Sequence, residues 1–152
     1  MKKRIWIDGN NFFNLWEPTR RFVELERAIT MQNKMNRCIK VLAEYLDWRR
    51  DGVLVFLDGG LEKSVHQLHG IRIHQCGNGG SADDHIIREL EKALRASRIT
   101  VITCDHPLQD RVQACGAKCL TVPQYVETLM PIHSTTAPNW KLNSLKTAAK
   151  RL

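Results

Sequence analysis

Val53-Leu54-Val55-Phe56-Leu57-Asp58-Gly59-Gly60 is the stretch on which the fold turns. A strand with one wet face alternates apolar and polar residues. This unbroken apolar run instead suits a strand covered on both faces, as in a parallel sheet between helical layers. It is too short for a helix, and Asp-Gly-Gly stops it in a turn. The same form recurs on either side of it, in Arg4-Ile-Trp-Ile-Asp8-Gly9 and in Ile99-Thr-Val-Ile-Thr-Cys-Asp105.

Between these runs the period changes. A long helical pattern runs from about Phe22 to Arg50, with Met35, Cys38, Ile39, Leu42, Tyr45 and Leu46 as its core stripe. Glu17-Pro18-Thr19 reads as a break before it, residues 10–14 as a loop, and residues 61–68 as a short helix. Residues 71–75 alternate as a strand, and Ser81 opens a helix to about Ser97. Pro107 suits the first position of the next helix, which ends at Gly116. Lys118–Val122 is the last strand, and Pro123 opens a final helix to Met130. The alternation predicts an α/β domain with a largely parallel sheet and right-handed crossovers. One domain over 1–130 and a basic C-terminal tail over 131–152 are expected, with no internal repeat.

Composition narrows the partners. The chain has 152 residues, 43% hydrophobic and 26% charged, which suits a globular domain with its own core. Apolar runs are only strand-length, and Met1-Lys-Lys-Arg4 leads straight into a strand, so neither a membrane span nor a signal peptide is expected. Five cysteines without framework spacing point to a reducing compartment, and a cytoplasmic location is expected. His74/Cys76 and Cys115/Cys119 do not match a zinc signature and read as buried thiols. A formal charge of +7 favours a polyanionic partner. Much of that charge lies in the first third and in a tail with no acid after Glu127, where Lys141, Lys146, Lys150 and Arg151 are candidate contacts to nucleic acid or another polyanion.

Asp8, Asp58, Asp83 and Asp105 each stand where an apolar run or loop gives way to a turn or helix. In a parallel sheet those points share one edge, where ligands bind. Two carboxylates about 4 Å apart repel by roughly 4 kcal/mol at an effective dielectric near 20. Such a cluster implies protonation or a divalent cation. Taken singly, each has an ordinary reading: a turn residue before glycine for Asp8 and Asp58, a helix cap for Asp105. Helical phase separates Asp83, on the stripe of Ile87, Leu90 and Leu94, from Asp84, which falls outward near Arg88 and completes a capping box with Ser81. Asn10, Asn11, Asp84 and Asp110 are candidates for positioning substrate; the asparagines equally suit a tight turn, and Asp110, off the core stripe of its helix, is an outer-shell acid. Gly77-Asn-Gly-Gly80 fails as a phosphate loop, because no Gly-Lys-Ser/Thr follows. No Gly-x-Ser-x-Gly elbow exists, Cys104 lacks a base, and His106 reads as a surface residue.

The ordered motifs Ile7-Asp8-Gly9-Asn10-Asn11, Val55-Phe-Leu-Asp58-Gly59, Ser81-Ala-Asp83-Asp84-His-Ile86 and Val101-Ile-Thr-Cys-Asp105 resemble those of the PIN-like nucleases. Within that superfamily they are closest to the NYN type and its YacP-like branch, over Ile5 to about Val122. The resemblance implies a three-layer α/β/α sandwich and a ribonuclease using Mg²⁺ or Mn²⁺. It implies Asp8, Asp83 and Asp105 as catalytic and metal-binding carboxylates, Asp58 as a further ligand, and Asn11 as the polar residue of the first motif. The chain departs from it at Asn10, where an aromatic is common, and at Cys104, where serine is usual. A non-catalytic RNA-binding adaptor is the alternative, disfavoured by the intact acids. A haloacid-dehalogenase phosphatase would need an acid where Asn10 stands. The resemblance implies RNA as the partner, with the tail residues Lys141, Lys146, Lys150 and Arg151 as its contacts, without distinguishing mRNA, rRNA, tRNA or a ribosome-bound form, and it carries no signal for oligomerisation.

Overall fold

The computed structural model describes residues 4–25 and 30–136. The C-terminal residues Lys141, Lys146, Lys150 and Arg151 lie outside them, so the RNA contacts expected there do too.

Strand β1 (Arg4–Asp8) leads into α1 (Gly9–Leu15), α2 (Glu17–Leu25) and α3 (Met31–Leu46). A 3-10 segment (Asp47–Gly52) then delivers the chain to β2 (Val53–Leu57). Next come β3 (Ser64–Leu68), β4 (Ile71–Gln75) and α4 (Ala82–Lys92). Strand β5 (Ile99–Ile102), α5 (His106–Ala114), β6 (Lys118–Leu120) and α6 (Val122–Thr136) complete the order. The six strands form one sheet in the order β3-β4-β2-β1-β5-β6, parallel except for the β3–β4 pair. The fold is the expected three-layer α/β arrangement.

The sheet is apolar on both faces because side chains alternate across it. Ile7, Val55, Leu57, Ile73 and Ile102 pack on one side with Phe12, Phe13, Leu42 and Tyr125 of α1, α3 and α6 and with Trp16 at the end of α1. Trp6, Phe56 and Val101 pack on the other with Ile86, Leu90, Leu108 and Val112 of α4 and α5. Each fully buried large side chain contributes roughly 1.5–3 kcal/mol.

Four local expectations change. Residues 10–14 are helical rather than a loop: Phe12 and Phe13 are fully buried and draw α1 onto the sheet. Gly9 permits that approach, since a Cβ there would stand 2.6 Å from Leu57 Cδ2 and 2.8 Å from the Phe56 carbonyl oxygen. Pro18 lies within the first turn of α2, where its missing N–H costs nothing, so the break falls at Trp16. The single helix expected over 22–50 is instead the end of α2, then α3, then the 3-10 segment. The expected helix at 61–68 is β3, joined to β4 by His69-Gly70 with φ of 51° and 81°, the two positive angles of a type I′ hairpin turn.

Boundaries shift as well. Helix α4 ends at Lys92, and Leu94 is 98% exposed, so the core stripe stops at Leu90. Helix α6 runs to Thr136, past the boundary expected at 130/131. No helix among the described residues is long and apolar enough to cross a membrane.

Candidate active site

Strand β1 is central, with β2 on one side and β5 on the other. The chain builds outward from β1 through β2 to β4 and then returns to β5. That reversal makes the carboxyl end of β1 the topological switch point, the place where ligands bind in open α/β sheets. Asp8 is the last residue of β1, 5% exposed. Its carboxyl is pushed up to about 7, first by burial and then by the charges of Asp83, Asp58 and Asp105; a hydrogen bond from Thr103 opposes the shift. Electrostatics thus unite the four acids that the sequence placed on one edge.

Each acid is held differently. Thr103 Oγ1 donates to Asp8 Oδ2 at 2.9 Å and accepts from the Asp105 N–H at 3.1 Å. Asp105 caps α5, its Oδ1 accepting from the Leu108 N–H at 3.1 Å. Asp58 is exposed, and its Oδ1 takes the Ala82 N–H at the start of α4 at 2.6 Å. Asp83 follows in the first turn of that helix, half-buried. Its carboxylate has no hydrogen-bond partner among the described residues. Burial raises its pKa most, Asp105, Asp58 and Asp84 raise it further, and Arg111 lowers it.

Asn10 and Asn11 tie the edge together. Asn10 Oδ1 accepts from the Asp58 N–H at 2.9 Å, binding α1 to the end of β2. Asn11 Oδ1 accepts from the Cys104 N–H at 2.8 Å, binding α1 to the end of β5. Ser81 Oγ accepts from the Asp84 N–H, which makes Ser81 the N-cap, but among the described residues the Asp84 carboxylate does not return a bond to the Ser81 N–H, so only half of the expected capping box forms. The Asp84 carboxylate, however, meets Arg111 of α5 at 3.3 Å rather than Arg88, because the two helices pack side by side. Asp110 is exposed on α5, and its charge is not among those acting on Asp8 or Asp83.

Three residues of this network went unread in the sequence. Thr103 is fully buried, and the Gln109 amide donates to its carbonyl at 2.8 Å. Gln75 Nε2 donates to the carbonyls of Asp58 and Gly59 at 3.0 and 2.8 Å. Polar residues closing apolar runs were the available signal.

The donor chemistry at this edge is that of hard oxygens, suited to Mg²⁺ or Mn²⁺. Softer groups nearby are otherwise engaged: Cys104 Sγ accepts the Val122 N–H, and His85 Nδ1 faces the Ser81 carbonyl at 2.9 Å. His74 stacks on Phe56 in the core, and burial lowers its pKa. No group of three or more His, Cys, Asp or Glu side chains among the described residues is already gathered to hold a metal ion. Gly77 and Gly80 spend their N–H groups on the Gly59 and Gly77 carbonyls, so this loop does not cradle phosphate.

The family model for the YacP-like NYN domain matches residues 5–151. The chain belongs to the YacP-like NYN family. The match runs beyond Val122, where the motif resemblance stops, and takes in the basic tail. Among solved structures, this NYN domain is similar to Rae1 (YacP) from Bacillus subtilis, with a TM-score of 0.67 at 19% identity over 99% of this chain and 86% of that one. A mutant of the same protein aligns with the same score and identity over 88% and 79%. These likenesses show that the domain shares the fold of the YacP structures. No curated protein sequence matches the chain.

Proposed function

We propose that this NYN domain is an endoribonuclease that hydrolyses RNA phosphodiester bonds at the carboxylate edge with Mg²⁺ or Mn²⁺. The observation that supports it most is Asp8, a buried carboxyl pushed up to about 7 at the sheet edge by burial and by three neighbouring acids. Such a group gains most from a cation. Asp8 and Asp83 are the residues that would hold it, with Asp105 and Asp58 beside them. A bound divalent cation supplies a Lewis acid that lowers the pKa of the attacking water and offsets charge building on the scissile phosphate.

The chain's own residues prepare that chemistry. Thr103 fixes one oxygen of Asp8. Asn11 holds the Cys104 amide and so the turn that carries Asp105. Asp58, itself held by Asn10 and Gln75, fixes the start of α4 and therefore Asp83. Asp83, with no hydrogen-bond partner among the described residues, is the carboxylate left to meet cation or water. The basic tail, through Lys141, Lys146, Lys150 and Arg151, is assigned to gripping RNA phosphates, and the free cysteines support work in the cytoplasm.

Cleavage of a mixed RNA pool tests the reading. Wild type should cut in Mg²⁺ or Mn²⁺, stop in chelator and leave 5′-phosphates, because water rather than the 2′-hydroxyl attacks. Asp83→Asn should not cut. Cleavage that survives chelation, or an Asp83→Asn protein that cuts at the wild-type rate, overturns it.

A further inference from the structure

An edge that gathers carboxylates repels RNA as well as attracting cations. A cation fixed beside it would offset that repulsion, and Arg111 stands in that place. Its Nη1 lies 3.3 Å from Asp84 Oδ1, so the guanidinium reaches from the last turn of α5 to the first turn of α4. Asp84 is the immediate neighbour of Asp83. The charge of Arg111 is also felt at Asp83.

This ion pair contributes little as a structural clamp. Its side chains are 49% and 61% exposed, and solvent screening leaves such pairs little effect on stability. The two helices are already joined by Ile86, Leu90, Leu108 and Val112 in one apolar cluster. A guanidinium carries five N–H donors in a planar fork. Among the described residues, Asp84 is the only hydrogen-bond partner of the Arg111 side chain, which is 49% exposed, so part of the fork is left to solvent beside the first turn of α4.

We propose that Arg111 is a phosphate-binding residue for the RNA strand, taking a backbone phosphate next to the one that is cut, and that Asp84 is the competing anion that holds it in place until RNA arrives. Binding then exchanges a carboxylate for a phosphate on the same guanidinium. Arginine suits the exchange because its fork matches both anions in a bidentate way. The proposal rests on the reading of this edge as an RNA-cleaving site, and it names the residue that brings a phosphate to it.

The two partners should therefore act in opposite directions. Affinity is read with a short, fluorescently labelled single-stranded RNA, in chelator and at several salt concentrations. Arg111→Gln should weaken binding about fivefold and flatten the dependence of log K on log salt by about 0.7. Asp84→Asn should tighten binding about twofold, because the competing carboxylate is gone. Arg111→Lys should recover part of the loss, since it restores charge but not the fork. In cleavage assays Arg111→Gln should raise KM by a larger factor than it lowers kcat. Thermal melts of each variant report folding independently. If Arg111→Gln and Asp84→Asn shift affinity in the same direction, or neither shifts it, the proposal is wrong. Binding needs no catalysis, so a protein that binds with these opposite signs yet never cuts would overturn the nuclease reading alone.

Discussion

The two sides of β1 use similar residues for different ends. Toward β5, Asp8, Thr103 and Asn11 form a network around the 5%-exposed Asp8 carboxyl and the fully buried Thr103. Toward β2, Asp58 stands in solvent, and one of its oxygens is committed to the first amide of α4. Adjacent asparagines serve the two sides, Asn11 holding the end of β5 and Asn10 the end of β2. Successive residues on a helix point about 100° apart, which is why neighbours in sequence reach opposite strands. An acid at a sheet edge is thus not chemistry by position alone. Desolvation makes Asp8 a strained group, whereas an exposed carboxylate bonded to a helix start is chiefly a brace.

The largest effect that can break this contrast is catalytic. Asp8→Asn, Asp83→Asn and Asp105→Asn should each lower kcat/KM for RNA by orders of magnitude with the fold kept. Asp58→Asn should cost only about tenfold, since the amide oxygen can still accept the Ala82 N–H and the residue acts through α4. Rates measured under one metal decide it: an Asp58→Asn protein as inactive as Asp8→Asn would erase the distinction.

Stability against pH comes next. Burial pushes the folded pKa of Asp8 up to about 7 from the ordinary aspartate value of 3.8, so the folded protein holds a proton that the unfolded chain gives up. Stability from this group is present below about 4 and is lost as pH rises toward 7, by up to about 4 kcal/mol. Denaturant melts in chelator should show that decline in wild type and a flatter profile in Asp8→Asn. Mg²⁺ or Mn²⁺ should restore stability at high pH only in the wild type. A wild-type profile that rises across this window would contradict the burial argument.

The smallest effect sharpens the comparison. Asn11→Ala strands the part-buried Cys104 amide and should cost about 1–3 kcal/mol. Asn10→Ala frees an exposed Asp58 amide to water and should cost about 0.5–1.5 kcal/mol. Equal losses in urea titrations would mean that the two sides are equally buried in practice.

Much of this edge is legible in the chain itself. Apolar runs that end in Asp8, Asp58 and Asp105 declare strands covered on both faces and put acids at their ends, because strand period and turn chemistry are local properties. The N-cap role of Ser81 is read the same way. Tertiary structure decided the rest. Strand β3 is a strand because β4 offers it a partner across a two-residue turn, although its own residues carry only a weak pattern. Phe12 and Phe13 turn an expected loop into α1 by finding a core. Arg111 captures Asp84 in place of Arg88, and Thr103 reaches Asp8 across ninety-five residues, through packing that brings distant segments together. The sequence by itself determined which residues end at the edge, since periodicity needs only neighbours. Which of them is buried, braced or paired was set by contacts between segments far apart in the chain, and such contacts exist only once the sheet has assembled.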